Sequence, residues 1–315
     1  MARPKAIVTG GAGFIGSHVC DALLGRGFDV AVIDNLSTGK RRNLPPDATF
    51  YETDIRDESV PGIFETEKPD YLFHLAAQMD VRKSVADPAY DAAVNIGGTV
   101  NLLEAGRRAG LKKTVYAATG GAMYGEPSWL PADEHTPIEP LCPYGISKGT
   151  VELYLGLYRR LYGMAYTSLR YPNVYGPRQD PHGEAGVVAI FSQTLLSGRR
   201  PTIFGDGTMT RDYVYVADIV AANLIALDRG DGAALNLGWG TQVTVQEIFE
   251  GVRDAAGGEI EPVYAPKRLG EVEHIALDAT AAGQALGWEP EVQLRDGLRR
   301  TVEFYRRLNA GEITR

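Results

Sequence analysis

Cysteine is nearly missing: Cys20 and Cys142 are the only two in 315 residues. Two thiols cannot build the disulfide framework of a small secreted scaffold, and both read as idle, buried positions. No His, Cys and carboxylate cluster stands at metal-ligand spacing, so no metal is expected. His74, at the end of a strand-like run, reads as a satisfied core histidine. No apolar run reaches the ~18 residues that suggest a membrane span. Basic residues are in the minority, 32 Lys and Arg against 40 Asp and Glu, for a net charge of -8. That balance gives no general attraction to nucleic acid or to an anionic membrane; a local basic pocket for a small phosphate ligand remains compatible with it. The opening MARPKAIVTGG enters a strand-like run at once, without the pattern of a signal peptide. A cytoplasmic protein is the expectation. Internal repeats and low-complexity tracts are also lacking.

Glycine, by contrast, is plentiful, with 37 residues. Several of these punctuate an alternation of short apolar runs and helix-like segments. Ala6–Val8, Val30–Ile33, Tyr71–Leu75, Thr114–Ala118 and Tyr166–Leu169 are runs without polar alternation, as in strands covered on both faces. Helical spacing lies between them, at Phe14–Leu24, Tyr90–Arg108 and from about Tyr144 to Tyr162. This rhythm predicts an α/β fold with a doubly wound parallel sheet built from right-handed crossovers. After Asn173 the rhythm loosens. Helices are expected at Val187–Leu196, Val214–Leu227 and Leu294–Leu308, and a strand at Ala234–Leu237. A smaller α/β unit interleaved with the first is expected. The division runs 1–170 with 212–238, and 171–211 with 239–315.

The sharpest local signal is Thr9-Gly10-Gly11-Ala12-Gly13-Phe14-Ile15-Gly16. Gly10, Gly13 and Gly16 lie after the first strand and before the first helix. Glycines there permit a tight turn, close approach of the backbone to a pyrophosphate and close helix–sheet packing. The anion would rest on free N–H groups at the helix N-terminus. Asp34 ends the second apolar run, where a carboxylate accepts both ribose hydroxyls of an adenosine and repels a 2′-phosphate. NAD is therefore expected over NADP. The adjacent Lys40-Arg41-Arg42 reads as a solvated loop or as charge on the pyrophosphate side. Asp54 and Ile55, after the third strand, are candidates for holding the adenine.

Tyr144 and Lys148 are four residues apart and so share one helix face. An ammonium beside a phenol favours the phenolate, making the pair a candidate general base for a sugar hydroxyl. Thr119 closes the fifth strand and supplies a hydroxyl at the carboxyl edge of the sheet.

Taken in order, TGGAGFIG, Asp34-Asn35, HLAAQ (His74–Gln78), Asn95, TGGAMYG (Thr119–Gly125), YGISK and RYPNVYGPRQ (Arg170–Gln179) resemble the extended short-chain dehydrogenase/reductase family. Within it the chain is similar to the UDP-hexose 4-epimerases. The likeness continues through GEAGVVAIF (Gly183–Phe191), IFGDG (Ile203–Gly207), TRDYVYVAD (Thr210–Asp218) and RLGEV (Arg268–Val272), nearly the whole chain.

The resemblance implies a Rossmann-like sheet and a homodimer in which the Tyr144 and Tyr90–Arg108 helices pack against their copies. It implies a tightly held NAD lined by Gly10, Gly13, Phe14, Ile15, Gly16, Asp34, Asn35, Asp54, Ile55, Leu75, Ala76, Ala77, Gln78, Asn95, Tyr144, Lys148 and Tyr171. Tyr144 is implied to be the base, with Lys148 and Thr119 beside it. Many family members carry a serine where this chain has Gly120. The substrate would be UDP-glucose or UDP-galactose, interconverted through a 4-keto sugar. Asn173, Arg211 and Arg268 match diphosphate positions, Thr202 and Phe204 flank the uracil, and Glu271 meets the uridine ribose. Val187 and Ile275 line the substrate side, with Ile275 at the sugar and limiting N-acetylated hexoses. The alternatives are a UDP-glucuronate 4-epimerase, which shares the chemistry, and an NAD-binding sensor or scaffold. A dehydratase or decarboxylase is disfavoured because Gly120-Gly121 follows Thr119 where those enzymes carry acids.

Overall fold

The computed structural model describes residues 3–182, 186–267 and 272–315. The early apolar runs are strands: β1 (Lys5–Thr9), β2 (Asp29–Ile33), β3 (Thr49–Tyr51), β4 (Tyr71–His74), β5 (Lys113–Thr119) and β6 (Ala165–Tyr171). Helix α1 (Phe14–Gly25) joins β1 to β2, and α2 (Val60–Glu67) joins β3 to β4. Between β4 and β5 lie α3 (Val81–Ala86), α4 (Pro88–Ala92), a π-helical turn at Ala93–Gly97 and α5 (Gly98–Ala109). The short α6 (Gly120–Met123) and the long α7 (Pro143–Tyr162) precede β6. Then follow β7 (Asn173–Tyr175), α8 (Val187–Leu196), β8 (Thr202–Phe204), β9 (Thr210–Arg211), β10 (Tyr213–Tyr215) and α9 (Val216–Ile225). The rest comprises β11 (Ala233–Asn236), β12 (Val243–Thr244), α10 (Val245–Ala256), β13 (Val263–Ala265), α11 (Thr280–Leu286) and α12 (Leu294–Asn309).

Seven strands form one sheet in the order β3-β2-β1-β4-β5-β6-β11, and every pairing is parallel. The pleat explains the unbroken apolar runs. Ala6, Val8, Val30, Val32 and Val115 face one core with α1, α9 and α11; Ile7, Ala31, Ile33, Leu72 and Tyr116 face the other with α2, α5 and α7. Each strand is thus covered on both faces, as expected for a parallel sheet. A third core joins α8, α10 and α12 around Tyr175, Tyr213 and Tyr215. Among the described residues, no helix is long and apolar enough to cross a membrane.

Two expectations are corrected. The helix expected across Tyr90–Arg108 carries a five-residue π turn, Ala93–Gly97. The helix expected from Val214 starts at Val216, because Tyr213-Val214-Tyr215 pairs with β7 as a strand. A short apolar run does not distinguish these states by periodicity.

One buried ion pair fastens α7 to the sheet. Glu152 accepts Arg170 Nε at 3.0 Å and Nη2 at 2.6 Å, and also Ser168 Oγ at 2.7 Å. The two side chains are only 7% and 10% exposed. Arg170 Nη1 donates to Tyr124 Oη at 2.7 Å, and that hydroxyl donates to Asn236 Oδ1 at 2.8 Å. Glu152→Ala would leave the guanidinium buried without its counter-ion. A loss of about 3–5 kcal/mol is expected, and Glu152→Gln should lose less; urea unfolding midpoints of the two variants check this order.

Candidate active site

The strand order reverses between β1 and β4. In open α/β sheets, ligands bind outside the carboxyl ends of the strands at such a point. Here the reversal brings two backbones into contact. Gly10 leaves β1 at φ +72°, and a Cβ on it would lie 2.8 Å from the backbone nitrogen of Ala76. A Cβ on Gly16 would overlap the carbonyl oxygen of Gly10. Glycine is required at one position by backbone conformation and close approach, and at the other by helix–turn packing. Gly13 N–H donates back to Gly10 and Ser17 N–H to Gly13. The amides of Phe14, Ile15 and Gly16 therefore remain as the donors of the first turn of α1, which has no side-chain cap. Donors in that position fit a pyrophosphate.

Asp34 directly follows β2 beside this turn and is 8% exposed. Its carboxylate accepts the Ala12 amide at 3.0 Å and the Leu36 amide at 2.8 Å. Burial raises its pKa, and these two amides partly offset that. A Cβ on Gly39 would come within 2.7 Å of the carboxylate, so glycine keeps this side open. The acid, the turn and the free amides fit the adenosine and diphosphate of NAD. Lys40 is drawn off to Asp180 at 2.9 Å, and Arg41 pairs with Glu52. Asp54 is engaged by Arg56 through Nε and Nη2 and by Asn35 Nδ2, which bring its pKa down to about 2. Ile55 is buried and its side chain packs on Gly98.

The exit of β4 is held by buried polar groups. Leu75 N–H donates to the Thr9 carbonyl and Ala76 N–H to Thr9 Oγ1, each at 3.2 Å. His74 lies between Thr9 Oγ1 at 2.7 Å and Thr99 Oγ1 at 2.8 Å. Burial pulls its pKa down to about 3, so the ring is neutral and structural. Ala77 leads to Gln78, whose N–H donates to Asn95 Oδ1 at 2.8 Å, while Asn95 Nδ2 returns a bond to the Gln78 carbonyl at 2.9 Å. Beneath them is Asp91, 0% exposed. One carboxylate oxygen accepts Gln78 Nε2 and Asn95 Nδ2; the other accepts Ser147 Oγ at 2.6 Å. Neither Asp91 nor Ser147 stood out in the sequence. The available signals were the four-residue spacing from Asp91 to Asn95 and the place of Ser147 directly before Lys148.

Ser147 fixes the turn of α7 that carries Tyr144 and Lys148. Lys148 Nζ donates to the Ala117 carbonyl at 2.6 Å, two residues before Thr119. It lies 4.7 Å from the ring centre of Tyr116 and 5.9 Å from that of Tyr144. Burial lowers the lysine pKa to about 7, with Asp91 opposing. Burial raises the Tyr144 pKa, and Cys142 and Asp91 add to the effect. The first turn of α7 rests on α6: a Cβ on Gly145 would strike the Ala122 carbonyl.

Thr119 and Asn173 both lie beside Gly121. A Cβ on Gly121 would lie 3.9 Å from Thr119 Oγ1 and 3.7 Å from Asn173 Oδ1. Thr119 is paired in register with Tyr171, whose hydroxyl bonds Asn223 at 3.0 Å. A side chain at position 120 would run into Leu277, another neighbour that sequence reasoning missed. Asn173 N–H donates to the Asp212 carbonyl at 2.9 Å. Arg211 Nη1 donates to the carbonyls of Thr210 and Glu273. Ile275 is 2% exposed and packs with Tyr124, Ala132 and Leu277. Thr202 and Phe204 lie on β8, paired with β13, and Val187 opens α8. Arg268 and Glu271 lie outside the described residues.

The family model for the NAD dependent epimerase/dehydratase family matches residues 6–238. The putative UDP-glucose 4-epimerase of Methanocaldococcus jannaschii is 47% identical over 96% of this chain and 99% of its own. Among solved structures, the UDP-glucose 4-epimerase of Thermotoga maritima with UDP-glucose superimposes with a TM-score of 0.95 at 50% identity, covering 97% of this chain and 99% of that one. The UDP-glucose 4-epimerase of Thermus thermophilus in complex with NAD gives 0.92 at 46% identity, covering 96% and 99%. The chain belongs to the NAD dependent epimerase/dehydratase family.

Lys148 has a measurable signature. Its folded pKa, about 7, is below the ordinary 10.5, so between these values the unfolded chain binds more protons and stability rises with pH. Below about pH 7 the full cost of the buried cation is present. Lys148→Met should therefore raise the melting temperature of the ligand-free protein more at pH 6 than at pH 9. Melting curves across that range check the sign.

Proposed function

We propose that this protein interconverts UDP-glucose and UDP-galactose at C4 while keeping NAD bound. The observation that carries the reading is the lysine tether: Lys148, buried, is held by the Ala117 carbonyl at 2.6 Å, on the strand that ends in Thr119. Tyr144 lies one helical turn from Lys148 on α7, its ring centre 5.9 Å from the lysine nitrogen. The names of the relatives support the sugar nucleotide.

When bound, NAD supplies a reversible two-electron oxidation, which turns a sugar alcohol into a ketone and back. Tyr144 Oη takes the proton of the 4-hydroxyl and later returns it. Lys148 spends one of its three donors on Ala117, leaving two for the nicotinamide ribose and the phenol oxygen. Thr119 Oγ1 bonds the oxygen at C4 and holds it in line with Tyr144. Asn173, Arg211 and Arg268 hold the diphosphate, for which Arg offers a planar donor fork. Thr202 and Phe204 flank the uracil, Glu271 takes the ribose hydroxyls, and Val187 closes that side. Ile275 limits the sugar from within the wall, so the N-acetyl pair reacts more slowly. A ketone exposed to water would be lost, and retained cofactor with a closed site prevents this. Tyr144→Phe should lower turnover of UDP-galactose by about 10²–10⁴-fold, with melting temperature and NAD content unchanged. Wild-type turnover in that variant would overturn the assignment.

We also propose a homodimer. Along α7, Ile146 (55% exposed), Leu153 (74%), Leu157 (37%) and Leu161 (61%) form one outward apolar stripe. A contiguous stripe of this kind marks a contact surface, and a second copy of the same helix, with α5 beside it, matches it. Light scattering should give twice the chain mass for the wild type and the single-chain mass for Leu153→Glu/Leu157→Glu.

A further inference from the structure

The basic run Lys40-Arg41-Arg42 has no part in the site described above. Lys40 and Arg42 form one wall of a separate cavity of about 380 Å³. Arg178, from the loop after β7, Arg199, beyond the end of α8, Arg315 and Phe304 of α12 complete it. None of the residues assigned here to NAD or the sugar nucleotide lines this cavity. Five cationic side chains face it, and among the described residues no carboxylate side chain does. Two carboxylates stand behind the wall. Asp21 holds Arg178 at 2.8 Å and also pairs with Arg315, and Asp180 holds Lys40 at 2.9 Å. These pairs orient three of the cations. Arg42 and Arg199 have no carboxylate partner among the described residues, and both are exposed.

A concave surface with that excess of positive charge, in a chain of net charge -8, concentrates small anions. The occupant must be compact and carry several charges. Guanidinium forks match phosphate oxygens. A water takes about 30 Å³ of liquid volume, so the space exceeds a single phosphate and suits two or three linked ones.

We propose that this cavity binds a small oligophosphate, with Arg42 and Arg199 closing on it against the oriented Lys40, Arg178 and Arg315. The bound anion bridges the loop after β2, which carries Gly39 against Asp34, to the segments around α8 and α12.

The test is calorimetric titration of inorganic pyrophosphate into the NAD-loaded protein saturated with UDP, so that both sites of the reaction are filled. One pyrophosphate per chain should bind, more weakly as salt is raised. Arg42→Ala/Arg199→Ala should lose at least tenfold in affinity, with NAD content, epimerase turnover and melting temperature in the absence of pyrophosphate unchanged. ATP in a second arm separates the sources. Tighter binding than pyrophosphate supports a nucleotide with its base on Phe304, and equal or weaker binding supports a free oligophosphate. No saturable binding, equal affinity in the double variant, or orthophosphate binding as tightly as pyrophosphate overturns the proposal. None of these outcomes touches the 4-epimerase reading, which rests on Tyr144.

Discussion

The contact of Gly10 with the backbone at Ala76 is the constraint from which the site follows. A Cβ at Gly10 would stand 2.8 Å from the Ala76 nitrogen and 3.0 Å from its Cα. With the Cβ absent, the chain turns at once from β1 into α1, and the exit of β4 closes against the turn. The first amides of α1 and the segment Leu75–Gln78 then border the same crevice. A larger residue would push these segments apart, and with them the hydrogen bonds from Leu75 and Ala76 to Thr9. Asp34 is coupled to the same turn through the amide of Ala12.

From this contact, polar groups run inward under the site. His74 passes from Thr9 to Thr99, and Thr99 Oγ1 bonds the carbonyl of Asn95 within the π turn. The π turn adds one residue per hydrogen-bonded ring and so re-aims the helix locally, a device frequent at functional sites. Asn95 and Asp91, four residues apart, both face the exit of β4. Asp91 completes the connection by accepting Ser147 of α7. Buried polar groups are costly unless every one is paired, and in this network the pairing is dense. Lys148 is the exception in energetic terms: burial depresses its pKa to about 7 although Asp91 favours its charge. A buried lysine kept there against stability is the kind of local cost that functional sites carry.

Much of this was legible in the sequence wherever the signal was local. The seven-stranded sheet follows from apolar runs covered on two faces, and the Gly10–Gly13–Gly16 turn and the Tyr144–Lys148 pair each lie within a single turn or helix. The less visible parts depend on distant partners. Ser147 is 56 positions from Asp91, and Thr9 is 65 from His74; neither spacing leaves a periodic trace. Asp54 shows a local pairing that the sequence pattern leaves unmarked. It follows β3, and its carboxylate accepts Arg56, two residues away, and Asn35. The start of α9 departs from expectation for another local reason, since Tyr213-Val214-Tyr215 fits a strand or a helix until β7 is there to pair with it.

Position 120 shows how a distant contact governs a motif. A serine there would place its Cβ on the side chain of Leu277. The atoms it would meet belong to the Leu277 side chain, and the backbone of Leu277 is fixed by its amide, which donates to buried Asp212 at 3.2 Å. The same carboxylate accepts the amides of Trp239 and Gly240, each at 3.0 Å, and burial raises its pKa to about 6. Asp212 also lies between Arg211 and the strand Tyr213–Tyr215, and its carbonyl accepts the amide of Asn173. One buried acid therefore positions both the wall that excludes a side chain at 120 and the residue that faces Thr119 across Gly121. With glycine at 120, Thr119, the last residue of β5, supplies a hydroxyl at this edge of the sheet. On the reading proposed here, Thr119 serves at C4, and the Leu277 side chain fills the space that a side chain at 120 would take.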